Sequence, residues 1–313
     1  MYKYIRIMRL DHWIKQLFIL PGFFFADLLI NEKIPSQYVG NLIIAFLAVS
    51  LIASANYVIN EWLDAEFDKF HPTKKNRSVV TEDVKGSVVW TLWGVLTCAG
   101  FFIGHLINFY FLMMLVWLWI MGILYNVKPF RTKDIFILDV LSESINNMIR
   151  LLLGWFIVFD ATENPLLPPV SIVIGYWMLG AFLMAIKRYA EYRMIGDPIL
   201  AGNYRKSFKS YSERSLLTSA FFYAMCSIFF MGIFLVKYRI ELFLLMPFLT
   251  GLFCYYFWLS YAKDSAVQKP EKLYREKWLM AYCLLVAVIF AALMFVDIPQ
   301  LHIFTDIKLI PVQ

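Results

Sequence analysis

Long apolar stretches alternate with short polar ones along the whole chain. Runs of spanning length cover residues 17–30, 41–59, 88–107, 109–125, 135–159, 168–186, 215–236, 240–262 and 278–296. About 20 mostly apolar residues cross a bilayer as a helix. The pattern therefore predicts an all-α integral membrane protein built as a bundle of nine transmembrane helices. The first run is short and is preceded by the basic, amphipathic residues 1–16, which read as an interfacial helix rather than a signal peptide, because no small-residue cleavage pattern follows.

Charge orients this bundle. With the N-terminus inside, 24 of the 29 Lys and Arg fall in inside segments and 4 (Lys33, Lys237, Arg239 and Lys308) fall outside, while Arg150 lies within a run. The positive-inside rule then gives a cytoplasmic N-terminus and an external C-terminus. The two long inside connections, 60–87 and 187–214, are expected to be functional loops, and the active site is expected at the cytoplasmic end. The chain of 313 residues is 61% hydrophobic and 17% charged, which agrees with a single membrane domain over 1–313. Its net charge of +6 is spread through loops beside apolar runs, so it points away from nucleic acid. The four cysteines sit in apolar stretches without C-x-x-C spacing and read as small buried hydrophobes.

One stretch departs from the apolar pattern in a way that suggests chemistry. Residues 60–68 read NEWLDAEFD, and on a helix Asn60, Asp64 and Asp68 recur every fourth residue, with Glu61 beside them. Stacked carboxylates repel unless a cation shares them, and Mg2+ accepts one or two carboxylates when it also holds substrate phosphates. The basic residues Lys74, Lys75 and Arg77 follow directly. A diphosphate site is the expectation; a solvated helix cap is the bland alternative. The run 135–159 is also unusual, carrying Asp139, Glu143, Asn146, Asn147 and Arg150 on one helical face. Ionisable groups at membrane depth face a bundle interior or a watery cavity. They form either the wall of a polar substrate cavity or a structural Glu143–Arg150 pair. Lys187 and Glu191, four apart, and the adjacent Arg188 continue a bundle helix, and the basic side chains among them would bind phosphates.

Three blocks, residues 60–77, YNVKPFRTK at 125–133 and AIKRYAEYR at 185–193, resemble the UbiA-type membrane prenyltransferase superfamily, with a weaker match at RLDHWIKQ, residues 9–16. The resemblance implies Mg2+ as cofactor, held by Asn60, Glu61, Asp64 and Asp68. Glu61 stands where the family carries Asp. It also implies a polyprenyl phosphate or diphosphate lipid as substrate, with a small phosphorylated or aromatic co-substrate, at the cytoplasmic face of a bacterial inner membrane. Asp64, Asp68, Lys187 and Glu191 are the expected catalytic residues. Lys15, Lys74, Arg77, Tyr125, Arg131, Lys133, Asp139, Glu143, Asn147, Arg150 and Arg188 are the expected substrate-binding ones. Where aromatic prenyltransferases carry a second acidic motif, this chain has Lys187, Arg188 and Glu191, with Asp197 off that face. This pattern resembles the polyprenyl-phosphate phosphoribosyltransferase branch. Transfer of a polyprenyl group to an aromatic acid is the alternative, and a transporter is the alternative outside enzymes.

Overall fold

The computed structural model describes residues 2–30, 37–72, 74–82, 84–159, 165–262, 265–268 and 270–304. Lys33, Thr73, Lys263, Lys269 and Lys308, which entered the motif and charge readings, lie outside the described residues. All regular structure among the described residues is helical. The α-helices are α1 (Tyr2–Ile7), α2 (Leu20–Ile30), α3 (Gln37–Asp68), α4 (Ser78–Thr81), α5 (Gly86–His105), α6 (Phe109–Asn126), α7 (Leu138–Trp155), α8 (Val170–Ile195), α9 (Pro198–Tyr204), α10 (Glu213–Tyr238), α11 (Met246–Leu259) and α12 (Lys277–Phe295).

Among the described residues, seven helical segments are long and apolar enough to cross a membrane, against the nine expected. The two that fall short do so for different reasons. The first run becomes α2, only 11 residues long, because residues 10–19 coil more tightly as a 3-10 segment. The fifth becomes α7, 18 residues long and carrying Asp139, Glu143 and Arg150. The N-terminal segment is likewise two pieces rather than one helix, broken at Arg9, whose φ of 52° lies in the left-handed region.

Two apolar cores organise the bundle. One joins α2, α3, α6 and α7 around Phe23, Ile52, Leu115 and Leu153. The other joins α8, α10, α11 and α12 around Phe182, Tyr223, Phe253 and Leu279. Helix α7 lies between them, packing on α2 and α6 on one side and α8 on the other. Its approach to α2 depends on two glycines. A Cβ on Gly154 would stand 1.9 Å from the Ile19 carbonyl oxygen, and one on Gly22 would stand 1.9 Å from that of Leu151. Such close backbone packing is what small residues permit between apolar helices. Asn108 fixes the chain just beyond the same end of α7: its side chain caps α6 by accepting from the Phe111 amide and donates to the carbonyls of Phe156 and Phe159.

The two long polar connections are more helical than expected. Helix α3 runs unbroken through the acidic stretch to Asp68, so Asn60, Asp64 and Asp68 sit on a rigid helix rather than in a loop. Helix α8 likewise carries Lys187, Arg188 and Glu191 before ending at Gly196, whose φ of 69° suits glycine. Asp197 then caps α9, accepting from the amides of Ile199 at 2.7 Å and Leu200 at 3.2 Å. That cap turns the chain back and brings Tyr204 and Arg205 over the end of α3.

Candidate active site

A cavity of about 280 Å³ opens at the charged end of the bundle. Its walls come from the N-terminal segment, α3, α6, α7, α8 and the turn after α9. Asn60, Asp64 and Asp68 line it together, as their spacing predicts. Glu61 does not. It points to the other side of α3, 3.8 Å from Arg9, and lines a separate surface hollow with Arg6 and Ser78. By helix geometry Glu61 is turned about 100° from Asn60 but only about 20° from Asp68, so its departure from the cavity follows the pull of Arg9 rather than its position on the helix. The expectation that Glu61 holds metal is not supported by its placement.

Each carboxylate facing the cavity is clamped by cations. Asp64 Oδ1 accepts from Lys133 Nζ at 2.6 Å and Arg131 Nη2 at 2.8 Å, and Asp68 Oδ2 accepts from Arg77 Nη1 at 2.6 Å. Asn60 donates its amide to Asn126 Oδ1, which also accepts from Lys133 at 2.7 Å. Among the described residues, Asp64 Oδ2 and Asp68 Oδ1 have no protein partner, and successive acids on α3 are about 6 Å apart along its axis. Two hard oxygens one turn apart, plus an amide carbonyl, suit a Mg2+ that completes its shell with water and phosphate. The donor set therefore fits. No group of three or more His, Cys, Asp or Glu side chains able to hold a metal occurs among the described residues, so the protein alone would not encage one.

Arg131 and Lys133 were expected to bind phosphate. They lie behind Asp64 instead of lining the cavity. Arg131 is tied to Asp64, Asp134 and the Asn126 carbonyl. Burial, offset in part by Asp64, pushes the Lys133 ammonium down to about 8.

The second half of the site is built on Arg188, which is buried and meets three carboxylates: Asp139 at 3.3 Å, Glu191 at 3.1 Å, and Glu143 in a shorter contact. Tyr125 Oη accepts from Arg188 Nη2 at 3.1 Å and donates to Glu143 at 2.8 Å. Asp139 and Glu191 stand outside the cavity lining. Asp139 also accepts from Ser207 and Tyr211, while Glu191 pairs with Lys74 at 3.0 Å. The Glu143–Arg150 pair considered above is not formed. Glu143 belongs to Arg188 and Tyr125, and Arg150 Nε donates to Gln16 Oε1 at 2.8 Å while its Nη1 donates to Asn147 at 3.3 Å.

Of the remaining nominated residues, Lys15, Lys74, Arg77, Tyr125, Asn147, Arg150 and Lys187 all line the cavity. Lys187 stands 4.0 Å from Glu143. Burial opposes the charge on Lys74, but Glu191 and Tyr204 hold its ammonium above the usual range. Sequence reasoning missed Arg9, His12, Tyr57, Tyr204 and Arg205, all of which reach the cavity. Arg205 donates to Tyr125 Oη at 3.3 Å. The one available signal was the Asp-Pro pair at 197–198, which starts the short returning helix. In all, eight cationic side chains and three acidic ones line the cavity, so it is built for an anion.

A model of the UbiA prenyltransferase family matches residues 18–282. The chain belongs to this family. It is 27% identical over 215 residues to the decaprenyl-phosphate phosphoribosyltransferase of Mycolicibacterium smegmatis, a match covering 68% of this chain and 63% of that one. The chain thus spans a little under two thirds of that relative's length. It is 24% identical over 172 residues to protoheme IX farnesyltransferase 1 of Bacillus cytotoxicus, covering 54% of this chain and 53% of that one. In fold it resembles a UbiA homologue from Archaeoglobus fulgidus solved with GPP and Mg2+, with a TM-score of 0.67 at 18% identity over 94% of this chain and all of that one. The chain is therefore a UbiA-family protein in sequence and in fold, with seven helical segments among the described residues long and apolar enough to cross a membrane.

Proposed function

We propose that the protein transfers a phosphoribosyl group from phosphoribosyl diphosphate to a polyprenyl phosphate, releasing diphosphate. The observation that carries this reading is the asymmetry of the cavity. One wall, on α3, offers a pair of acids for metal, whereas α8 offers Lys187 and Arg188 in the stretch where aromatic prenyltransferases carry a second acidic motif, and the turn after α9 adds Arg205. One diphosphate needs one metal face. A sugar phosphate and a lipid phosphate need cations. The phosphoribosyltransferase relatives among the matches agree with this reading.

In this reading Asn60, Asp64 and Asp68 hold Mg2+, which when bound neutralises charge on the departing diphosphate. Arg131 and Lys133 fix Asp64 in direction, and Arg77 fixes Asp68. Lys74, Lys187 and Arg205 face the remaining phosphate oxygens, and Glu191 positions Lys74. A lipid phosphate oxygen attacks the anomeric carbon, and the bond to the diphosphate oxygen breaks with its electron pair on the leaving group. Positive charge grows on the sugar ring, and cations preorganised around the leaving group lower that barrier. The polyprenyl chain lies along the apolar part of the wall formed by Phe18, Leu118, Leu183 and Met184. The charged end of the bundle faces the cytoplasm by the positive-inside rule, in a bacterial inner membrane, with the whole chain acting as one catalytic domain and residues 60–87 and 187–214 completing the site.

The test is a labelled-lipid assay on protein purified in detergent with Mg2+. Polyprenyl phosphate with phosphoribosyl diphosphate is expected to give a phosphoribosylated lipid. Product formed only from polyprenyl diphosphate and 4-hydroxybenzoate would refute this reading in favour of aromatic prenylation.

A further inference from the structure

Arg150 is a buried cation whose hydrogen-bond partners among the described residues are neutral amides. It stands on α7 seven residues beyond Glu143, about 10 Å deeper along the helix axis. Its Nε meets Gln16 and its Nη1 meets Asn147, and it makes no ion pair among the described residues. Glu143, the acid nearest on its own face, is already committed to Arg188 and Tyr125. A guanidinium keeps its charge at any working pH, and a buried charge with no counter-charge is costly. The surrounding groups are unsatisfied as well. Gln16 is fully buried, and its Nε2 donor lacks a hydrogen-bond partner; Asn146 lines the cavity beside Arg150, where its side-chain NH2, not its unpartnered Oδ1, is the group an anion would meet.

These groups make a recognition set. A planar fork of donors, one further donor and flanking amides are what a compact oxyanion takes, and the shortage of acids leaves the charge for the ligand to supply. Arg150, Asn146 and Asn147 line the same cavity as the metal-binding acids but stand on α7 rather than α3, and Gln16 is buried against Arg150. The glycine contact between α2 and α7 holds this set, since Gln16 precedes Ile19, the residue on which Gly154 packs.

We propose that Arg150, with Asn146, Asn147 and Gln16, forms a second anion subsite that binds a compact oxyanion on the co-substrate, a phosphate monoester or a carboxylate, apart from the diphosphate. The inference rests on the reading of this cavity as a group-transfer site. Under phosphoribosyl transfer the occupant is the sugar phosphate. Arg150 then sets which co-substrate enters, while Asp64 and Asp68 serve the leaving group.

The test measures binding by titration calorimetry to wild-type, Arg150→Gln and Arg150→Lys protein in detergent with Mg2+. The probes are ribose 5-phosphate, 4-hydroxybenzoate and inorganic diphosphate. Ribose 5-phosphate is expected to bind the wild type and to weaken about tenfold or more in Arg150→Gln, with partial recovery in Arg150→Lys. Diphosphate is expected to change by less than about twofold, because its proposed partners are other residues, on α3, α8 and the turn after α9. The same pattern with 4-hydroxybenzoate instead supports the subsite but overturns the phosphoribosyl reading, so the two failures are distinguishable. If both small probes bind wild type and Arg150→Gln alike, or neither binds, the proposal is overturned. A diphosphate affinity that falls in step with the small probes overturns it too. Should Arg150→Gln fail to fold, Asn146→Leu keeps the charge and removes one flanking amide. The proposal expects selective weakening of the same small probe there, and no change would overturn it.

Discussion

Replacing Arg188 by Met keeps much of the side-chain stem and removes the one charge on which three carboxylates converge. Arg188 is 1% exposed, and Asp139 and Glu191 are 0% and 1% exposed, so water cannot take its place without opening α7 from α8. Asp139 would keep Ser207 and Tyr211, Glu191 would keep Lys74, and Glu143 would keep Tyr125. Removing one partner from a buried ionic cluster costs about 3–5 kcal/mol, because the remaining charges stay desolvated. The compensating bonds place this case at the lower end, about 3 kcal/mol. The assay is thermal unfolding in detergent, followed by circular dichroism, against Arg193→Met. Arg193 sits 3.9 Å from Glu213 at a half-exposed position, and exposed pairs contribute at most about 1 kcal/mol. Arg188→Met should melt well below both the wild type and Arg193→Met. Adding Glu143→Gln and Asp139→Asn should restore part of the loss by removing the unpaired charges. Unchanged melting of Arg188→Met would refute the view that this arginine holds α7 and α8 together.

Other outcomes follow from single residues. Gly154→Ala places a methyl carbon 1.9 Å from the Ile19 carbonyl, so it should lower the melting temperature through strain of about 1–3 kcal/mol, whereas Ala at Gly94, which has open space around it, should not. Glu61→Gln should change turnover by less than about threefold while Asp64→Asn lowers it by about a hundredfold or more, in a side-by-side rate assay, because only the latter faces the cavity. Burial, reinforced by Lys74, pushes the His71 imidazole down to about 3. The folded protein therefore refuses a proton that the unfolded chain accepts below pH 6.5. Its contribution to stability is complete above that pH and falls, by at most about 1.4 kcal/mol per pH unit, as pH drops from 6.5 toward 3. Melting curves between pH 7 and 5 should show this slope, and it should be smaller in His71→Gln.

Some of this site was readable before any coordinates because it obeys helical periodicity. The four-residue spacing of Asn60, Asp64 and Asp68 survives because α3 continues straight through the membrane boundary. The polar face of α7 was equally legible as a face. Which of its members touch the cavity was not, since Asp139 meets Tyr211 and Ser207 from beyond α8, partners more than 60 residues away that no local pattern encodes. The roles of Arg131 and Lys133 as clamps on Asp64 depend on how the turn after α6 lies over the end of α3. Arg205 looked like one more basic loop residue until the Asp197 cap turned the chain back. The two expected spans that are not both long and apolar enough are those in which polarity and length work against each other. Helix α7 is buried enough to tolerate charges that a lipid-facing helix would exclude, so a hydropathy criterion passes over it.

The most direct test of the account is whether phosphoribosyl lipid and diphosphate appear together when polyprenyl phosphate and phosphoribosyl diphosphate are given to the purified protein with Mg2+. The account predicts equimolar products, lost on chelation of the metal and lost again in the Asp64→Asn, Asp68→Asn double variant. Equal product from that double variant, or diphosphate released only when polyprenyl diphosphate is supplied, would contradict it.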